Sequence, residues 1–133
     1  MQERIEKEIA LLRTGYPDLE YRAEGRWVRI PFYRLPKGWQ PEATDVAFQI
    51  PATYPGGPPY GIYVPSGIRF GGDLPANYTE PAANQPPFGG SWGVFSWSTT
   101  DGQWRATAEP DPVRGYSLLS WASGFADRFS EGK

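Results

Sequence analysis

The stretch FQIPATYPGGPPYGIYVP, residues 48–65, decides the fold of this chain. It begins as a strand-like alternation in which Val46, Phe48 and Ile50 share one face. Prolines and glycines then interrupt the alternation, and an apolar run resumes at Ile62. Because proline lacks a backbone N–H and fixes φ at about −65°, residues 54–59 fit neither a strand interior nor a helix. The stretch therefore predicts two strands joined by a stiff, ordered connector.

The composition predicts a globular protein with much turn and loop. A length of 133 residues favours one domain, residues 1–133, with a real core. The net charge of −2 and the lack of a basic run argue against a nucleic acid or a membrane surface as partner. No apolar run approaches the length of a membrane span, and the charged start MQERIEKEIALL is unlike a signal peptide. We therefore expect a cytoplasmic protein.

Two absences limit the chemistry of the chain. It contains no cysteine and no histidine, which excludes thiolate nucleophiles, disulfides, Ser/His and Cys/His arrangements and the usual zinc ligand sets. Carboxylate, lysine, tyrosine or unassisted serine chemistry remains. We expect neither a metal site nor a cofactor.

The helical signals lie at the two ends of the chain. In residues 2–13 the side chains of Ile5, Ile9 and Leu12 form an apolar stripe, and Glu8 is expected on the charged opposite face. The sequence TGYP, residues 14–17, predicts the end of this helix. A second amphipathic helix is predicted after Asp111-Pro112, with an apolar stripe at Leu118, Ala122, Phe125 and Phe129.

The strand signals follow one another at hairpin spacing, which predicts an antiparallel meander. Strands are expected over residues 19–23, 26–35, 44–51 and 61–64, the last of them short and at an edge. In the second strand, Val28, Ile30 and Phe32 are expected on the buried face. A long irregular segment is predicted for residues 71–90, a partly extended one for 91–98, and a turn at Asp101-Gly102. The fold class is therefore α+β, with helices packed on one antiparallel sheet.

Several segments, in order along nearly the whole chain, carry a resemblance to ubiquitin-conjugating (E2) enzymes. RIEKEIALL, residues 4–12, resembles the first E2 helix, and residues 48–65 are similar to the E2 stretch that passes through Phe-Pro, Tyr-Pro and Pro-Pro into a short strand. FSWSTTDGQWRATAEP, residues 95–110, resembles the segment from the catalytic cysteine to a tryptophan, and SLLSW, residues 117–121, the helix after it. The layout is similar to the bacterial group called prokaryotic E2 family E. It implies a UBC-like fold: N-terminal helix, four-stranded antiparallel meander, long ordered Pro/Gly loop and C-terminal helix.

The resemblance implies partners but not the E2 reaction. Proteins of this group usually occur with E1-like, JAB-peptidase and ubiquitin-like components, so a ubiquitin-like or an E1-like partner is implied. The E2 cysteine lies eight residues before the tryptophan, and counting back from Trp104 gives Ser96. A hydroxyl is a far poorer nucleophile than a thiolate, and the His-Pro-Asn element of E2 enzymes is also missing. The leading hypothesis is a non-catalytic E2-like protein (pseudo-E2) of a bacterial conjugation or defence system.

Three alternatives remain open. The first is a transferase that forms an oxyester at Ser96, against which stands an ordinary serine in a loop or at a strand end. The second is a carbohydrate- or peptide-binding module with aromatic stacking platforms, against which stands a role of the same rings in packing the core and pinning loops. The third is an enzyme with paired carboxylates, for which Asp73, Asp101, Glu109 and Asp111 are candidates, although most such residues are turn or capping groups. The candidate binding residues are Tyr54, Pro58, Pro59, Tyr60, Trp92, Trp97 and Trp104.

Overall fold

The computed structural model describes residues 2–51, 61–96, 118, 122 and 125–130. Helix α1 (Gln2–Gly15) comes first, and a 3-10 turn (Glu24–Arg26) joins the first two strands. The last helical segment is α2 (Phe125–Ser130). None of the described helices has the length and hydropathy needed to cross a bilayer. The strands are β1 (Glu20–Arg22), β2 (Trp27–Arg34), β3 (Trp39–Gln40), β4 (Ala43–Gln49), β5 (Ile62–Pro65), β6 (Arg69–Phe70), β7 (Tyr78–Thr79) and β8 (Trp92–Phe95).

The strands form a six-stranded sheet in the order β1-β2-β4-β5-β8-β7 and a separate ribbon of β3 and β6. Every pair in the sheet is antiparallel. The prediction of an α+β protein with an N-terminal helix and an antiparallel sheet is therefore confirmed. The sheet has six strands instead of four, because residues 71–96 contribute β7 and β8. The predicted connector at residues 54–59 and the turn at Asp101-Gly102 lie outside the described residues.

Strand β5 lies inside the sheet, so its prediction as an edge strand was wrong. Its four residues pair with β8, from Ile62 opposite Phe95 to Pro65 opposite Trp92, and Tyr63 also pairs with Ala47 of β4. The side chains of Ile62 and Val64 are fully buried. The pairing partner β8 comes some thirty residues later in the chain, and local sequence carries little information about such a distant partner.

Helix α1 docks by its predicted apolar stripe but also buries a charged residue. Ile5, Ile9 and Leu12 are all at most 5% exposed. The prediction that Glu8 lies on the solvent face was wrong, since its side chain is fully buried. Its Oε1 accepts a hydrogen bond of 2.8 Å from the backbone N–H of Leu118. The carboxylate therefore joins α1 to the C-terminal part of the chain.

A β-bulge divides β2 into two halves. Val28 and Ile30 are buried as predicted, but the prediction for Phe32 was wrong, because its side chain is 81% exposed. The register of β2 against β4 shifts between Ile30 and Tyr33, and Phe32 has a left-handed φ of 55°. One extra residue in a strand reverses the facing of every residue after it. Tyr33 consequently turns toward the core and Phe32 toward solvent.

The core lies between the sheet, α1 and the C-terminal residues. The apolar residues predicted for the C-terminal helix, Leu118, Ala122, Phe125 and Phe129, are each at most 1% exposed. Two side-chain hydrogen bonds join this region to the strands: Tyr33 Oη donates to Ala122 O at 3.1 Å, and Trp39 Nε1 to Phe129 O at 2.8 Å. The rest of the predicted C-terminal helix lies outside the described residues.

Candidate functional site

Ser96, which the resemblance predicts at the position of the E2 cysteine, directly follows β8 and is exposed. Its backbone N–H donates to Asn77 O at 2.8 Å, which fixes the end of the β7–β8 pair. Among the described residues no side chain makes a hydrogen bond to its hydroxyl, so none of them is positioned there as a general base. A serine hydroxyl is a weak nucleophile unless a general base removes its proton. Ser96 is thus accessible to solvent, but no described group activates its hydroxyl.

Trp92 is the candidate binding residue that the structure describes, and its ring is packed. It is 3% exposed, and its Nε1 donates to Gly89 O at 2.7 Å. The Phe88 ring lies 6.0 Å away. A buried ring with its N–H satisfied offers no face on which a sugar or a peptide could stack. The other candidate binding residues, Tyr54, Pro58, Pro59, Tyr60, Trp97 and Trp104, lie outside the described residues.

Residues 81–90 form a strap that is attached to β8 and reaches β1 and β2. The Gln85 amide accepts from Trp92 N at 2.9 Å and donates to Trp92 O at 2.9 Å and Ala82 O at 2.8 Å. The guanidinium groups of Arg22 and Arg29 each lie 5.6 Å from the centre of the Phe88 ring. Such cation–π contacts favour a fixed position of the ring. The strap is therefore ordered by its own polar and aromatic contacts.

A polar cluster around Glu80 lies at one end of the sheet. Oε2 of Glu80 accepts from the Gly67 N–H at 2.7 Å and from Tyr78 Oη at 3.3 Å. Its other oxygen, Oε1, forms an ion pair with Arg69 at 2.6 Å. Both carboxylate oxygens are thus occupied by groups of the protein. The cluster joins the turn after β5 to β7, and these contacts of its carboxylate are all structural.

The pKa values of this cluster follow from its contacts. Burial, the neighbouring Glu80 carboxylate and the hydrogen bond to it raise the pKa of Tyr78. For Glu80, desolvation favours the protonated form, but the Gly67 hydrogen bond and the Arg69 guanidinium outweigh it and lower the pKa. Tyr78 is therefore a neutral donor and Glu80 an ionised acceptor near neutral pH. This pairing stabilises the fold and leaves no base or nucleophile poised for reaction.

Of the four carboxylate candidates, the structure describes only Asp73. Its backbone N–H and C=O pair with those of Phe70, at 3.0 and 2.9 Å, in a tight turn. Asp101, Glu109 and Asp111 lie outside the described residues. Within the described ranges, no cluster of three or more carboxylates could hold a metal ion.

The surface at the β2 bulge was missed by the sequence analysis. Beside exposed Phe32 lies a cavity of about 270 Å³. The sequence carried one signal for it, which is a change of parity: Val28 and Ile30 have even numbers, whereas Leu35, the next aliphatic residue of the predicted strand, has an odd one. A single face cannot contain both unless one residue is inserted between them. The residues that line the cavity are Tyr16, Ile30, Pro31, Phe32, Tyr33 and Arg34.

Comparisons with protein-family models, with curated proteins and with solved structures found no match for this chain.

Proposed function

We propose that this chain is a non-catalytic E2-like protein that binds a ubiquitin-like or E1-like partner in a bacterial conjugation or defence system. The proposal rests on the order of E2-like segments along the chain. The α+β arrangement, with an N-terminal helix and an antiparallel sheet, is compatible with it. A binding role does not require a nucleophile.

The observation that carries the non-catalytic part of the proposal is the chemistry at Ser96. The chain has no cysteine, and the residue at the E2 cysteine position is an exposed serine. No described side chain contacts its hydroxyl to remove a proton. Thioester transfer needs a thiolate, which an unassisted hydroxyl cannot replace at neutral pH.

The test measures intact mass and co-purification after co-expression with the proteins encoded beside this one. We expect an unmodified wild-type chain that co-purifies with a ubiquitin-like or E1-like protein. Ser96→Ala should bind as the wild type does. A base-labile mass increase that equals a ubiquitin-like protein and disappears in Ser96→Ala would instead establish an oxyester transferase. If no partner binds, the proposal is wrong.

A gain of function gives a sharper test of the E2-like arrangement. Ser96→Cys would introduce the only thiol of the chain at the E2 cysteine position. With the neighbouring E1-like and ubiquitin-like proteins and ATP, it should acquire a thiol-labile adduct. Ser91→Cys, which places a thiol at another exposed serine, is the matched control and should stay unmodified. Equal modification of both variants, or of neither, would contradict the assignment of Ser96.

A further inference from the structure

Phe32 combines two features that are each unfavourable for an isolated domain. Its large apolar side chain is 81% exposed, and its φ of 55° lies in the left-handed region that bulky residues avoid. A glycine or asparagine would fit this backbone with less strain. Strained residues of this kind concentrate at sites of function.

The cavity beside Phe32 has a defined chemical character. Its walls are aromatic and aliphatic side chains, and Arg34 is the charged residue among the described residues that line it. Arg34 is exposed, and within the described part of the chain it forms no ion pair. Asp45, whose Oδ1 accepts from the N–H of Phe32, is already paired with Arg29 at 2.9 Å. The cavity therefore combines an apolar pocket with a cation that can pair with an incoming carboxylate.

The open edge of β2 does not favour an added strand. Strand β1 pairs with β2 only as far as Arg29, so the outer edge beyond it is free of β1. The Ile50 N–H donates to Arg26 O, so the backbone groups of Val28 and Ile30 point toward β4 and the backbone of Pro31 points toward the open edge. Proline offers no N–H to an added strand. An added strand would thus lack a donor at Pro31, whereas the exposed side chains beside it are available for recognition.

We propose that Phe32, the adjoining cavity and Arg34 form a docking surface for a protein segment in which an apolar side chain is followed by carboxylates. The apolar side chain enters the cavity against Phe32, and a carboxylate pairs with Arg34. Aromatic and arginine side chains are the residue types that contribute most to such interfaces. This inference does not rest on the resemblance to E2 enzymes.

The test uses four fluorescein-labelled acidic peptides, in which Leu, Ile, Phe or Trp precedes Glu-Glu. Each has a control peptide that keeps the apolar residue and carries Lys-Lys in place of Glu-Glu. Fluorescence anisotropy measures their affinity for the full chain. At least one acidic peptide should bind tenfold or more tightly than its lysine counterpart, and the difference should shrink in high salt. If no acidic peptide exceeds its counterpart, the proposal is overturned.

Variants locate the binding on the molecule. Phe32→Asn and Arg34→Gln should each weaken binding of the acidic peptide about tenfold or more. Leu74→Asn, at another exposed large apolar side chain, is the control and should leave affinity unchanged. Binding that survives Phe32→Asn, or that is lost in Leu74→Asn, would overturn the assignment of this surface.

The stability of Phe32→Asn separates docking from folding. Asparagine tolerates the left-handed conformation, so the urea midpoint of this variant should equal or exceed that of the wild type. A lower midpoint would show that Phe32 serves packing, and it would overturn the argument from strain.

Discussion

Gly93 and Tyr78 make a close contact between neighbouring strands at the edge of the sheet. The ring of Tyr78 lies over Gly93 of β8, and a Cβ at Gly93 would collide with its Cζ and its hydroxyl. The ring also packs at 4.8 Å from Phe95, and its hydroxyl donates to Glu80. Tyr78 therefore has little room to move. The absence of a side chain at Gly93 is a packing requirement.

Replacing Gly93 with alanine should lower the free energy of unfolding by about 2–3 kcal/mol, as expected for overpacking of a close contact. Its φ lies outside the left-handed region, so a change of backbone conformation makes no contribution. Urea denaturation measures the effect. In Tyr78→Ala/Gly93→Ala the loss should be less than the sum of the single losses, because the clash is removed. Additive losses would contradict this explanation.

At the scale of elements, α1 is held to the C-terminal region by a polar contact as well as by apolar packing. Glu8 is fully buried and accepts the N–H of Leu118. A backbone N–H that is buried away from water needs an acceptor. Glu8 thus serves as a tertiary acceptor for a distant part of the chain.

Glu8→Ala should lower the free energy of unfolding by about 1–3 kcal/mol, because it leaves the buried N–H of Leu118 without an acceptor. Glu8→Gln keeps an oxygen at this place and should cost less. The two variants are compared by urea denaturation at neutral pH. Equal losses in both would mean that the charge of Glu8, and not its acceptor, is what matters.

The cluster that joins β7 to the turn after β5 should make stability depend on pH. The pKa of Glu80 is lowered in the folded protein, so folding favours its ionised form. Its contribution is complete above the unfolded-state pKa of about 4.3 and is lost as pH falls through the lower folded-state value.

The measurement compares urea midpoints of the wild type and Glu80→Gln from pH 7 to pH 3. The variant should be less stable at pH 7, and the difference should shrink toward pH 3 as the wild-type carboxylate becomes protonated. A difference that is constant over this range would show that the ion pair with Arg69 contributes nothing to the pH dependence.

At the scale of the whole molecule, the two ends of the chain share one core. Ile5 and Leu12 of α1 belong to the same buried cluster as Leu118, Phe125 and Phe129. Aromatic contacts connect this cluster to the β3–β6 ribbon: the Trp39 ring lies 5.2 Å from Phe70 and 5.3 Å from Phe129. The sheet alone therefore has an incomplete core.

A chain that ends at residue 116 should not fold cooperatively. It lacks Leu118, Phe125 and Phe129, whose removal costs about 8–15 kcal/mol by analogy with large-to-small substitutions. That loss is comparable to the whole stability of a typical domain, about 5–15 kcal/mol. Circular dichroism in urea should show a broad, non-cooperative transition. A sharp transition like that of the full chain would contradict a shared core.

The amino-acid sequence by itself determined helix α1 and four of the six strands of the sheet. Period-3.6 and period-2 patterns placed α1, β1, β2, β4 and β5 within a few residues of their observed bounds. Positions that face the core recur every 3.6 residues in a helix and at every second residue in a strand, and these positions must be apolar. The same reasoning identified the buried residues of the C-terminal segment. The spacing of eight residues between Ser96 and Trp104 and the lack of cysteine and histidine were also evident from the sequence alone.

Only the tertiary structure decided which strands neighbour each other and which side chains depart from the pattern. The pairing of β5 with β8, the burial of Glu8 and the outward turn of Phe32 each depend on contacts between residues far apart in sequence or on one inserted residue. A carboxylate can be buried once a distant N–H meets it, and a bulge reverses the facing of a strand without altering its composition. Local patterns contain no information on the distant N–H, and the change of parity between Ile30 and Leu35 is their one trace of the bulge.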